Sequence, residues 1–265
     1  MTTQWRFEGH AATIEARSWP IDTPRYAAVL VHGYGEHIGR YEYVADFLNR
    51  HGAAVYGLDH VGHGRSAGER VVITDYDQVV ADVRQVVLRA RAEHPGLPVV
   101  LIGHSMGGMI AARYAQLHGE DLRLLVLSGP VIGSWEPVTS LLELDEIPFE
   151  PIDVSTLSRD AEIGRVYADD PLVWHGPFKR ELVAALDTCL KRINAGPKLE
   201  SLPLLWVHGE ADTLVPLEPS RAGVAAIRGA DYTEHRYPQA RHEVFNETNK
   251  DEVLGDVARF IDDHL

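Results

Sequence analysis

One cysteine, Cys189, occurs in 265 residues. No internal disulfide can form, so the fold does not depend on an oxidising compartment. There is no continuous apolar run of the ~20 residues that a membrane-spanning helix needs. The first ten residues, Met1 to His10, contain neither a basic stretch nor an apolar one. They do not read as a signal peptide, and the expected location is cytoplasmic. Positive charge is scarce: 25 Lys and Arg against 39 Asp and Glu leave a formal net charge of -14. That balance argues against a nucleic-acid partner and against adsorption to an anionic membrane surface. Internal repeats and low-complexity segments are absent, and so is the G-x-x-x-x-G-K-[ST] phosphate loop. His242-Glu243 opens like the zinc-protease motif H-E-x-x-H, but Asn246 stands where the second histidine is required. No metal and no organic cofactor is expected.

What the chain does have is a rhythm. With 45% hydrophobic and 24% charged residues it has the composition of a globular protein. Its length suits one large domain or two small ones. Trp5 to Trp19 reads as two antiparallel strands around Gly9-His10. Tyr26 to Val31, Ala53 to Leu58, Val99 to Ile102, Leu122 to Leu127 and Leu204 to Val207 are short apolar runs without polar alternation, as strands buried on both faces require. Amphipathic stretches lie between them: Tyr41 to Arg50, Thr74 to His94, and the residues from the glycine-rich turn at 103 to Leu117, closed by Gly119. A helix at Pro219 to Ile227, a strand at Tyr232 to Tyr237 and a final helix from Asn249 complete the pattern. Alternating strands and helices imply an α/β fold with a mostly parallel sheet covered on both faces. From Pro130 to about Ser201 the rhythm breaks into proline-rich, irregular but still apolar sequence. The expected layout is therefore a core of 1–129 and 202–265, interrupted by an insertion at 130–201.

The chemistry centres on Gly103-His104-Ser105-Met106-Gly107, a G-x-S-x-G between a buried strand and a helix. In that context the serine sits on a sharp turn with its hydroxyl above the sheet edge. The small residues two before and two after it let strand and helix backbones approach. A serine needs a base, and in this architecture the acid and then the histidine follow it in the chain. Asp212, in His208-Gly209-Glu210-Ala211-Asp212, and His242, in Arg241-His242-Glu243, both lie just beyond strand ends, where open α/β sheets assemble their sites. Glu210 is the rival acid; Asp212 is preferred because Thr213-Leu214-Val215-Pro216 leads from it into the next element. Asp59 precedes the serine and breaks the order, and His235 falls within a strand. Asp59, His60 and His63 could be imagined as metal ligands, but the glycines between them read as a structural turn. The turn His32-Gly33-Tyr34-Gly35-Glu36-His37 supplies the remaining part. One of its backbone N–H groups, with that of Met106 after the nucleophile, would form an oxyanion hole.

The turn, the following Gly39-Arg40-Tyr41, the stretch Leu58-Asp59-His60-Val61-Gly62-His63-Gly64-Arg65-Ser66, the serine motif, Asp169-Asp170-Pro171-Leu172 and Arg241-His242-Glu243-Val244-Phe245-Asn246-Glu247 together resemble the monoacylglycerol lipases of the α/β-hydrolase superfamily. The resemblance runs over nearly the whole chain. It implies Ser105, Asp212 and His242 as a catalytic triad, Tyr34 and Met106 as oxyanion donors, and the insertion as a lid over an acyl channel. It also matches Glu36, Arg40 and Tyr167 to the polar end of a monoacylglycerol site, although Glu36 and Arg40 equally fit an ion pair at a helix start. The implied substrate is a monoacylglycerol or similar single-chain ester, and any transient lipid-surface contact is expected through apolar lid residues. The first half of the lid, Ser134 to Asp153, is short and carries Glu143, Asp145, Glu146 and Glu150, which suits smaller or more soluble esters. Alternatives are a general carboxylesterase or lysophospholipase and, in a different class, a binding protein that has kept the fold.

Overall fold

The computed structural model describes residues 2–265. Strands β1 (Thr3–Glu8) and β2 (Thr13–Trp19) form an antiparallel hairpin. There follow β3 (Tyr26–Val31), α1 (Glu42–Arg50), β4 (Ala53–Leu58), α2 (Tyr76–Glu93), β5 (Val99–His104), α3 (Met106–His118) and β6 (Leu124–Ser128). Three helices then come without an intervening strand: α4 (Glu136–Glu143), α5 (Ala161–Asp169) and α6 (Arg180–Ala195). The chain returns through β7 (Leu204–Gly209), α7 (Leu217–Ile227), β8 (Tyr232–Tyr237) and α8 (Lys250–His264). All eight strands join one sheet in the order β1-β2-β4-β3-β5-β6-β7-β8. Only β1–β2 and β2–β4 pair antiparallel; the five pairs from β4–β3 to β7–β8 are parallel.

The continuous apolar runs have the cause that the sequence implies. In β3, Ala27, Val29 and Val31 face one core while Tyr26, Ala28 and Leu30 face the other. Because side chains alternate along a strand, both faces can be covered only if neither set is polar. The first core is closed by α2, α3 and α6, and the second by α1 and α8. Four valines and an alanine at helical spacing along α2 (Val79, Val83, Val86, Val87, Ala90) are all buried.

Two local readings change. Gly119 does not close α3 in a left-handed conformation: its φ is −58°, and the helix tightens directly into a 3₁₀ turn over Gly119–Asp121. The 130–201 segment is also more regular than its prolines suggest. Its α6 runs for 16 residues and buries Leu182, Val183, Leu186, Cys189, Leu190 and Ile193 in the first core beside α2 and α3. The insertion thus ends in a core helix. Its outer part, α4, buries only Val138. Among the described residues no helix is long and apolar enough to cross a membrane.

Candidate active site

Ser105 lies between β5 and α3 with φ 56° and ψ −121°, a left-handed conformation that L residues avoid. Close packing holds it there. A Cβ on Gly103 would stand 2.3 Å from the Gly107 carbonyl oxygen, and one on Gly107 would stand 2.1 Å from that of Val31. Helix α3 can therefore press against both its own strand and β3 only with glycine at these places. The Ser105 carbonyl accepts from the N–H groups of Gly108, Met109 and Val131 at 2.9–3.2 Å, and its own N–H donates to Ser128. Every backbone polar group of the serine is thereby tied down, which leaves the side chain to face the cavity.

The structure brings all three triad candidates together. His242 Nε2 is 2.9 Å from Ser105 Oγ, and His242 Nδ1 is 2.7 Å from Asp212 Oδ2. The other oxygen of Asp212 accepts from the N–H groups of Leu214 and Val215, both at 2.9 Å. This is the physical content of the preference for Asp212: the residues after it turn back and present their amides. Glu210 is exposed and lies 3.7 Å from Arg236. His235 lies on β8 away from Ser105, 3.6 Å from Asp256.

Burial alone would push the His242 imidazole down. The Asp212 carboxylate, reinforced by Glu243 and Glu36, outweighs burial and leaves it raised. Burial would raise Asp212, yet His242 and the hydrogen bonds it receives hold it below the usual carboxylate range. The two shifts agree, as expected of an imidazole and carboxylate that stabilise each other's charged form. His104 behaves oppositely. Its ring lies 4.8 Å from that of His242, and burial together with that neighbour pushes it down to about 4. It stays neutral beside His242.

Met106 occupies the first position of α3, where a helix offers its N–H no internal acceptor. The Tyr34 amide lies in the turn after β3. That turn is anchored by Glu36, whose carboxylate accepts from Gly33 N–H at 2.6 Å and Tyr41 Oη–H at 2.7 Å. The Tyr34 ring has a role that its backbone assignment did not foresee: it stacks on Phe178 with centroids 4.4 Å apart.

A cavity of about 270 Å³ opens over Ser105 and His242. Its walls are mainly apolar, with Trp135, Ile152, Phe178, Leu186 and Leu214 among them. Of the three residues expected at a polar end, Glu36 and Tyr167 line it and Arg40 does not. Arg40 instead forms a two-pronged pair with Glu243, both contacts at 2.8 Å, and a third contact with Glu36 at 2.5 Å. Glu243 and His104 were missed as partners of the site, although both adjoin residues that the motifs singled out. Along the cavity walls from α4 to α6, Glu150 and Tyr167 are singled out in the sequence, and the rest is legible only as apolar character.

The three histidines near the turn, His32, His60 and His63, are fully buried. Burial pushes His60 and His63 down to about 3 and about 4, so both are neutral. Asp59 points away from a ligand role: its two oxygens accept from Ile38 N–H and Arg65 N–H, both at 2.8 Å. Among the described residues His118, Glu120 and Asp121 form one group able to approach an ion. However, Asp121 already pairs with Arg84 and Arg91.

Comparison with known proteins places the chain in a family. Residues 22–249 match the family model described as serine aminopeptidase, S33. The chain is 39% identical over 257 residues to a monoacylglycerol lipase of Mycolicibacterium smegmatis, covering 93% of this chain and 92% of that one. It is 35% identical over 243 residues to the human monoglyceride lipase, covering 87% and 80%. The crystal structure of Paleococcus ferrophilus monoacylglycerol lipase superposes with a TM-score of 0.80 at 26% identity, covering 95% of this chain and 99% of the other.

Proposed function

The chain belongs to the serine aminopeptidase S33 family and is a serine hydrolase of the α/β-hydrolase fold, and from that premise we propose that it cleaves monoacylglycerols through an acyl-enzyme. The observation that carries the reading is the unbroken line from Asp212 through His242 to Ser105, set beneath an apolar cavity. Whole-length relatives named as monoacylglycerol and monoglyceride lipases support this substrate class over a peptide.

In this mechanism Ser105 Oγ attacks the ester carbonyl carbon while His242 Nε2 takes its proton. Asp212 holds the imidazole in the tautomer that leaves Nε2 free and stabilises the imidazolium that forms. The carbonyl oxygen, now anionic, is received by the N–H groups of Tyr34 and Met106. The C–O bond then breaks, and the alcohol leaves with the proton from His242. Water repeats the sequence on the acyl-enzyme, giving its proton to His242 and releasing the fatty acid and Ser105. Glu36 and Tyr167 form the polar end of the cavity, and the apolar walls receive the chain. The part of the insertion up to residue 179 acts as the lid.

Hydrolysis of monoacylglycerols across a range of chain lengths, against short soluble esters and diacylglycerols, tests the proposal. Preference for single long chains supports it. Preference for short soluble esters would favour the carboxylesterase reading, which draws on Glu150 and Asp153 in the cavity wall.

A further inference from the structure

The oxyanion turn and the histidine loop are far apart in sequence, and the chemistry requires them to stand at a fixed separation. The turn hangs on Glu36, which accepts from Gly33 N–H immediately before the Tyr34 donor. The histidine loop carries Glu243 immediately after the base. Arg40 touches both carboxylates and is 8% exposed in its side chain; each carboxylate side chain is 5% exposed. Its guanidinium lies 4.9 Å from the centre of the Tyr167 ring, which covers it from the insertion side. Asn246 donates at 2.8 Å to Glu243 Oε2, the oxygen that also accepts from Arg40 Nη2.

We propose that Arg40 is a positioning residue of the hydrolytic reaction: by bridging Glu36 to Glu243 it sets the distance between the oxyanion donors and the imidazole of His242. The inference rests on the hydrolase reading above. Two features favour this role over substrate recognition. Arg40 does not line the cavity, and its guanidinium is engaged by two carboxylates and an aromatic face. A buried charge cluster is also an inefficient way to gain stability, because desolvation offsets much of the attraction. What an Arg fork supplies beyond an apolar contact is direction: two parallel N–H···O bonds fix Glu243 in angle as well as distance. Lysine keeps the charge and loses the fork.

The experiment is steady-state kinetics on a soluble p-nitrophenyl ester and on a monoacylglycerol, with melting temperature followed in parallel. The variants are Arg40→Lys, Glu36→Gln, Glu243→Gln and the double variant Glu36→Gln/Glu243→Gln. Expected for Arg40→Lys is a kcat lower by about 10- to 100-fold, the scale of a misplacement near 1 Å, with KM changed by less than about twofold. Each glutamine variant, which keeps the shape of the side chain, lowers kcat, and the double variant is no worse than the more severe single one, since both act through Arg40. Three results would overturn the inference: a raised KM with unchanged kcat, a lowered melting temperature with unchanged kcat, or additive losses in the double variant. Ser105→Ala in the same assay separates the two levels. Turnover retained there removes the hydrolase reading itself, whereas turnover lost there with kcat intact in Arg40→Lys removes only the role of Arg40.

Discussion

In the floor of the cavity, Gly103 and Gly107 on either side of Ser105 are fixed by backbone contacts that leave no space for a Cβ, while above it Leu144 and Phe149 are 43% and 67% exposed. The insertion itself divides in the same way. Thr156 and Leu157 accept from the N–H groups of His242 and Glu243 at 3.3 and 2.8 Å. Asp170 bonds the ring of His37 at 2.8 Å, and Trp174 N–H donates to Gly35 at 2.7 Å. Those parts are joined to the catalytic loops. Residues 136–153 have few such ties. Catalysis tolerates little error in the relative placement of base, nucleophile and oxyanion donors, whereas an apolar wall needs only approximate shape to receive a flexible chain. Tight backbone packing and loose cover thus suit the two tasks that the proposed mechanism sets.

The contrast can be tested, beginning with the floor. Ser105→Ala is expected to lower kcat by about 10⁴-fold or more with an unchanged melting temperature. Steady-state assay beside thermal unfolding checks this, and residual wild-type turnover would break the assignment. Asp212→Asn should cost about 10⁴-fold in kcat, because the amide can no longer hold the imidazole in the required tautomer. Gly107→Ala changes no functional group, yet its Cβ meets two backbone carbonyls. A loss of stability on the order of 3 kcal/mol is expected, read from urea unfolding; a neutral result would show that the floor can yield.

The pH profile sharpens the same point. His242 must be neutral to accept the serine proton, and Asp212 raises its pKa against the lowering effect of burial. The activity kcat/KM should therefore rise with pH through a limb centred above the ordinary ~6.5 of histidine. A limb at or below that value would show that burial wins. The smallest effect is expected in the cover. Phe149→Ser should change stability by no more than about 0.5 kcal/mol and leave turnover of a soluble ester intact, while slowing attack on dispersed monoacylglycerol. Equal loss on both substrates would place the cover in the same class as the floor.

Much of this architecture could be read beforehand, for local reasons. The runs in β3, β4 and β5 had to be buried on both faces because they contain no polar alternation. Ser105, Asp212 and His242 were identified because the elbow demands glycines at fixed spacing and the chain order restricts the acid and base. Of the helices between residues 130 and 201, only the apolar helical stretch around Cys189 was read, and α6, which contains it, shows why the rest was not. Its spacing of Leu182, Val183, Leu186, Cys189, Leu190 and Ile193 is helical, but it lies among prolines and glycines that interrupt the strand–helix rhythm. Arg40 was read locally as a partner of Glu36 four residues before it. Its second partner, Glu243, lies 203 residues away, beyond the reach of any periodicity.

The sequence by itself determined the strands and the helices of the alternating core, and it singled out Ser105, Asp212 and His242, since these depend on side-chain type, strand ends and short-range sterics. Only the tertiary structure decided which surfaces meet: that α6 joins the core, that Tyr34 stacks on Phe178, and that one guanidinium links the oxyanion turn to the histidine loop. Such contacts depend on how distant segments are brought together by the sheet, and a linear pattern of residues does not contain that distance.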